Sequence, residues 1–460
     1  MNKNKIIFAV IGFVIFSFVV FIVLNLNSTK KTSTSKIADF NIWIVGDNKD
    51  LFSSYLETFK KKNEKYKNVN IGVESFSSYK EYSDTLARAF LGDKAPDIFV
   101  INNNEKSIFE NQTIGINPNI VDPDGFRKNY EAVFSNDLIN STKVLQEDKT
   151  EKKVEFLKGI PLGYETLGIY YDMRNLRGKD LSSWAAINDA INYIKTEKGD
   201  SLPIGIGNGT NVTYASDIMT EFFMQEGAKN LDDIKDNIKN GAFSRYFLYG
   251  DKTGDNAYLS KFDNLGESGS INENNTEIKQ ENDLSLFSKG ELSMIIGYPR
   301  MIENIDQLGF QKSFLRASPI PTLSSSNGLN LVNYNYFVIN KNTKKADLAF
   351  DLEAYFASKE GQTEFHNIFS YYLPAMPEIF RNIQDNEIKD GYPVKIKDFY
   401  NSSLELSSFD KKLKNIYDEK ITEILNNSTN YSILFDNFKK SILCKYDKII
   451  NFTNFSRICE

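Results

Sequence analysis

The chain has 460 residues, 41% hydrophobic, 25% charged and 13% aromatic, too long for one comfortable core and too apolar for a disordered chain, so two or three packed lobes are expected. Its formal charge of −6 offers nucleic acid no general attraction. One histidine and two cysteines exclude a His-rich zinc site, a Cys-ligated cluster and most His-dependent triads; carboxylates, amides, hydroxyls and aromatic rings are left, with no metal or cofactor expected.

The first element is an uncharged apolar run over residues 6–26, long enough at 1.5 Å per residue to cross about 30 Å of hydrocarbon as a transmembrane helix. Lys3 and Lys5 precede it and favour a cytoplasmic N-terminus. A cleaved signal peptide is the alternative. The run is longer than the usual apolar region of one, and no small-residue cleavage site follows it. An uncleaved signal anchor is therefore favoured, with the polar stretch 27–37 (NSTKKTSTSKI) as a flexible tether and everything beyond it outside the cytoplasm, at the cell membrane. In that compartment Cys444 and Cys459 are spaced to form one disulfide, worth about 3 kcal/mol by loop entropy; two unpaired thiols remain the alternative.

Beyond the tether, strands and helices alternate. NIWIV after Phe40 reads as a buried strand ending at Gly46-Asp47-Asn48, followed by a helix with Leu51, Tyr55 and Phe59 on its apolar face and Phe52 and Leu56 beside them. VNIGVESF, the helix from Tyr79 stopped by Gly92 and Pro96, and DIFVIN complete a β-α-β-α-β order, which implies a mostly parallel sheet with ligands at the carboxyl ends of its strands. A second block follows: the extended GIPLGYETLGIYYD, a helix opened by Trp184, the strand LPIGIGN ending in Gly207-Asn208-Gly209-Thr210-Asn211, and a helix from about Tyr214 to Glu226. Residues 251–282 read as a surface insertion. A strand then runs into Gly297-Tyr298-Pro299-Arg300, and FLRASPIPT and LVNYNYFVINK precede a helix with Leu348, Leu352, Tyr355 and Phe356 on one face. Two α/β blocks suggest two lobes with a cleft between them.

Several of these segments, taken in order, resemble the extracellular solute-binding proteins of ABC importers, the family that includes maltodextrin- and other sugar-binding components. They are NIWIVGDNKDLFSSYLETFKKKN, APDIFVIN, IPLGYETLGIYYDMRNL, SSWAAINDA, FSKGELSMIIGYPRMIENI, ASPIPT and the stretch from YFVINK to LPAMPEI, and they cover roughly residues 40–385. The resemblance implies a two-lobed α/β periplasmic-binding-protein-like fold with an interlobe cleft. Lobe 1 would comprise 38–161 and 313–357, lobe 2 162–312 and 358–400, and 401–460 a helical C-terminal extension outside the pattern. It also implies a small solute, in particular a carbohydrate, and ABC permease subunits as partners.

Sugars present a hydroxyl rim, suited to carboxylates and amides, and C–H faces suited to aromatic rings. Asp47 and Asn48 follow the first strand, and Tyr79 follows the second. Glu165, four residues after Pro161, matches a position where maltodextrin-binding relatives carry a sugar-contacting Glu, with Tyr164 beside it. Tyr298 and Arg300 lie in the loop that commonly supplies a stacking ring, and Tyr371 and Tyr372 precede Leu373-Pro374 at another such site. Asn103, Asn208 and Asn211 are amide candidates from strand ends. Each of these also has an ordinary structural reading as a cap, a turn residue or packing. Trp43 and Trp184 read as core, and His366 as a partly buried or surface helix residue.

No GxGxxG, GxxxxGK[ST] or GxSxG motif occurs, so nucleotide binding and serine hydrolysis receive no signal. Non-catalytic capture of a solute by closure of two lobes is the leading function. A surface sensor or adhesion ectodomain on the same fold is the alternative. A glycoside hydrolase using Asp47 and Glu165 ranks last, since it needs carboxyls about 5–5.5 or 6.5–9.5 Å apart.

Overall fold

The computed structural model describes residues 38–450 apart from Asp47, Asp93, Ser107, 146–149, 198–201, Asn208, 250–281, 324–327 and 428–429. The apolar run 6–26, the tether, the insertion expected over 251–282 (all but Asn282) and Cys459 therefore lie outside the described residues. Among the described residues no helix is long and apolar enough to cross a membrane.

In chain order the strands are β1 (Phe40–Val45), β2 (Ile71–Phe76), β3 (Ile98–Asn102), β4 (Thr113–Ile114), β5 (Ile139–Leu145), β6 (Glu151–Leu157) and β7 (Ile160–Pro161). They continue with β8 (Gly168–Asp172), β9 (Leu202–Ile204), β10 (Leu292–Gly297), β11 (Leu315–Pro319), β12 (Leu329–Leu331), β13 (Asn335–Asn340) and β14 (Glu405–Ser407). The first lobe is built on a sheet of order β2-β1-β3-β13-β4, with β7 also paired to β13. The second is built on a sheet of order β11-β8-β10-β9. Every residue of β3 and of β10 is buried, as expected for strands covered on both faces.

The first sheet is mixed rather than mostly parallel. β1 pairs in parallel with β2 and β3, as the alternating order implied, but β13 arrives from the second lobe and runs antiparallel to β3, β4 and β7. Helix Lys49–Lys62 lies on this sheet through Phe52, Tyr55, Leu56 and Phe59, with Phe52 stacked on Phe337 of β13 at 5.3 Å. Leu51, expected on that apolar face, is 43% exposed. Gly46, at φ 112°, takes the left-handed turn that separates β1 from this helix and leaves Asn48 at the carboxyl end of the sheet.

The two lobes do not divide where the sequence suggested. Leu315–Pro319 pairs with β8 in the second sheet instead of returning to the first lobe at 313. Helix Lys359–Ile368, expected in the second lobe, packs on the first, with Phe365 edge-on to Tyr55 at 5.8 Å. Strand-like and helix-like runs announce their type locally, but not which sheet they join.

Of the extension expected to be helical over 401–460, Lys414–Leu425 and Tyr431–Ile450 are helices, whereas Glu405–Ser407 is strand β14, paired with β12. The extension is a component of the second core rather than an appendage. Tyr417, Ile421, Phe435, Phe438 and Ile442 are buried, with Phe435 at 5.5 Å from Phe223 and 5.8 Å from Phe243. Burying side chains of this size contributes about 1.5–3 kcal/mol each, so the tail holds firmly to its lobe. Trp43 and Trp184 are core residues, against Phe76 at 5.2 Å and Phe222 at 5.1 Å.

Candidate functional site: the interlobe cleft

Three chain crossings meet between the sheets and are laced by backbone hydrogen bonds. Tyr164 and Leu373 exchange N–H···O bonds at 2.9 and 2.8 Å, and Glu165 and Asn333 do the same at 2.9 Å each. These short ladders join the crossings, and the candidate site is built from the residues flanking them.

Glu165 sits on the first crossing, 1% exposed. Its carboxylate accepts the Arg300 N–H at 3.4 Å and faces the Arg300 guanidinium, with Nε 3.4 Å from Oε2. Burial raises the Glu165 pKa, and the guanidinium partly offsets that rise. Arg300 in turn is held cationic chiefly by Glu165. The Arg300 side chain remains 42% exposed. The loop carrying it is fixed from below: Tyr170 donates its hydroxyl to the Pro299 carbonyl at 2.7 Å. At Gly297 the end of the Met301 side chain packs against the backbone, its Cε 2.5 Å from where a Cβ would stand, so a larger residue there would have to displace that thioether.

Around this pair stand tyrosines. Tyr214 and Tyr372 lie within electrostatic reach of both Arg300 and Glu165. Tyr371 and Tyr372 pack at 4.9 Å, and Asn48 donates its side-chain amide to the Tyr371 hydroxyl, tying the first lobe to the third crossing. An apolar pocket under this rim is lined by Val45, Phe52, Leu162, Phe369 and Tyr372 among others. A buried carboxylate, a half-exposed guanidinium, the half-buried rings of Tyr214 and Tyr372 and the buried ring of Tyr371 together combine an acceptor, donors and apolar faces.

Asn48, Glu165, Arg300, Tyr371 and Tyr372, five of the candidate contacts, lie near one another through the Asn48–Tyr371 hydrogen bond, the Tyr371–Tyr372 contact and the Glu165–Arg300 pair. Other candidates do not. Tyr298 is fully buried and meets Tyr214 edge-on at 5.0 Å, so Tyr214, which the sequence reading passed over, stands where a stacking ring was expected. Tyr164 is buried 5.7 Å from Phe134, in the first lobe's core. Asn103 is buried, donates to the Val332 carbonyl and Ser408 hydroxyl at 2.7 Å each, and accepts the Tyr334 N–H at 3.0 Å; its bonding capacity is spent on structure. Asn211 is 2% exposed and its carbonyl accepts from Asp283. Tyr79 packs on Tyr82 at 5.9 Å, its hydroxyl beside the buried Glu105 carboxylate. Asp47 and Asn208 lie outside the described residues. Cys444 is half-buried on the last helix and is not a free thiol; Cys459 lies outside the described residues. His366 is buried, against the expectation of a partly buried or surface position, and neither ring nitrogen has a hydrogen-bond partner among the described residues.

Several carboxyls are raised by burial: Glu105 and Glu221 to about 7, and Asp283 to about 6. A native state that keeps these protons to higher pH than the unfolded chain becomes more stable as pH falls through 7, and stops gaining near pH 4, where the unfolded carboxyls also protonate. His366, lowered to about 3 by burial, acts in the opposite sense below about pH 6.5. With these three acids set against the histidine, stability should rise by roughly 3 kcal/mol between pH 7.5 and 5.5. Denaturant midpoints measure this: Glu221→Gln should flatten the rise, and a steady fall over the same interval would contradict the assignment.

The chain matches the model of the bacterial extracellular solute-binding protein family over residues 54–391 and belongs to that family. Its fold is similar to the sugar-binding protein MalE of Xanthomonas citri, at 14% identity and TM-score 0.62, covering 90% of this chain and 100% of that one. An ABC substrate-binding protein of Listeria monocytogenes, solved with cycloalternan, aligns at 12% identity and TM-score 0.61 over 88% and 98% of the two chains. The GacH receptor of Streptomyces glaucescens, solved unliganded and with acarbose, aligns at 15% identity and TM-score 0.58 over 89% and 98%. At these identities the likeness is one of fold. No curated protein matches the chain.

Proposed function

We propose that this protein is a membrane-anchored extracytoplasmic binder that captures a sugar in its interlobe cleft and presents the closed form to an ABC importer. The observation that carries this reading is the Glu165–Arg300 pair, set among Tyr214, Tyr371 and Tyr372 at the crossings. A carboxylate and a guanidinium match the hydroxyl rim of a sugar in acceptor and donor sense, and tyrosine rings match its C–H face. Ligand drives closure only by binding the closed arrangement more tightly than the open one, which a site contributed by both lobes and the crossings achieves. The apolar run 6–26 and the tether 27–37 would keep the domain at the membrane beside its permease. The family consists of binding proteins, and the proposed action makes and breaks no covalent bond.

A thermal-shift screen of sugars, polyols, amino acids and polyamines tests the reading. A ligand at a hundred times its Kd adds about 2.7 kcal/mol to native stability, which raises the melting temperature by several degrees. At least one sugar should do so. A shift from an amino acid or polyamine alone would replace the sugar assignment, and no shift from any compound would remove solute capture.

A further inference from the structure

The stretch between β14 and the helix Lys414–Leu425 crosses from one lobe to the other. On the second lobe, Lys411 is fully buried and reaches Asp217 and Asp418 at 2.6 Å each, while Ser216 donates to Asp418 at 2.7 Å. On the first lobe, the Lys411 N–H donates to the Asn104 carbonyl at 3.0 Å, the Ser408 hydroxyl accepts from Asn103 at 2.7 Å and donates to Asp137, and the Asn415 amide donates to Ser83 at 3.2 Å. The stretch is fastened to the second lobe by both ion pairs and apolar packing through Tyr417 and Ile421, and to the first lobe by hydrogen bonds.

Its position bears on the cleft. Asn103 and Asn104 follow β3, at the carboxyl end of the first sheet, where a ligand in a two-lobed α/β fold is expected. Asp217, which holds Lys411, lies within electrostatic reach of both Glu165 and Tyr298. The strap therefore occupies the space between the β3 loop and the start of helix Ala215–Gln225, next to the Glu165–Arg300 pair. The strap takes one hydrogen bond from the Asn103 side-chain amide and gives one to the Asn104 backbone carbonyl, so it sits directly on this loop.

Building on the proposed sugar capture, we infer that residues 408–418 form an end wall of the cleft, favouring a short saccharide and excluding extended oligosaccharides. Tyr214, at the start of helix Ala215–Gln225, faces the Glu165–Arg300 pair, and one turn further on Asp217 is held by Lys411 of the strap. A tetrasaccharide would have to displace a fully buried lysine and its two carboxylates.

The test is a length series on the full chain: mono-, di- and tetrasaccharides of glucose, galactose and mannose, read by calorimetric titration. At least one mono- or disaccharide should bind, and the tetrasaccharide of the same sugar should bind at least tenfold more weakly. A tetrasaccharide that binds as tightly as its disaccharide would overturn the wall while leaving sugar capture standing; binding of no sugar at any length would overturn both. The double variant Ser408→Ala/Asn415→Ala loosens the strap from the first lobe without touching its apolar face. It should raise tetrasaccharide affinity relative to disaccharide at least threefold, and an unchanged ratio would show that the limit lies elsewhere.

Discussion

Lys411→Met should destabilise the protein by about 3–5 kcal/mol, the usual cost of breaking a buried ion pair by removing one partner. Lys411 has no exposed side-chain surface, while Asp217 is 15% and Asp418 29% exposed. The cost arises mainly at Asp217, because Asp418 keeps Lys414. Two carboxylates hold the Lys411 ammonium charged despite its burial, and the two lysines hold Asp418 well below the usual carboxylate range. Adding Asp217→Asn to Lys411→Met should recover part of the loss, since removing both partners costs less than orphaning one. Urea unfolding measures both variants. A loss under 1 kcal/mol for Lys411→Met, or no recovery in the double variant, would place the stability of this junction in its apolar packing alone.

Glu165→Gln should weaken sugar binding by about ten- to a hundredfold while leaving the unliganded protein within about 1 kcal/mol of its original stability. The first figure follows from losing a hydrogen bond to a charged acceptor, about 1.5–3 kcal/mol, at a tenfold change for each 1.4 kcal/mol. The second follows from two opposing effects. Burial already disfavours the ionised form of Glu165, so neutralising it relieves a desolvation cost, and Arg300, half exposed, can turn to water when its partner is neutral. Equal losses of stability and binding would assign Glu165 to the crossings alone. Replacing Glu165 by Ala is a poorer probe because truncating a side chain that is 1% exposed also leaves a void beside Arg300.

The fold was largely legible because its signals are local. Period-2 and period-3.6 apolar patterns placed β1, β2, β3, β10 and their helices within a residue or two, and Trp43 and Trp184 in the core. The antiparallel hairpin β5–β6 escaped notice because strands such as INSTKVL and EKKVEFL are mostly exposed, so no apolar alternation announces them. The lobe boundaries escaped for a different reason. Whether LRASP pairs with β8 or with β13 depends on where the chain crosses, and side-chain pattern does not encode the crossing.

The site was legible only in part. Glu165, Arg300, Tyr371 and Tyr372 fall in runs with a recognisable order, and the crossings bring those runs together. Tyr298 was misread because sequence does not distinguish which of two tyrosines in contact lies outermost, and Tyr214 is the more exposed of the two. Lys411 carried no signal at all. In a tail rich in lysine and acid it reads as one more solvated charge, and only the docking of that tail on the second lobe makes it a buried cation bridging two carboxylates.

Amide hydrogen exchange with and without the sugar found in the screen tests most directly where the solute sits. Capture in the cleft predicts added protection concentrated in the segments around 163–167, 298–301 and 369–374, the backbone carrying Glu165, Arg300, Tyr371 and Tyr372. Protection confined to the outer faces of either lobe, with those three segments exchanging as before, would contradict it.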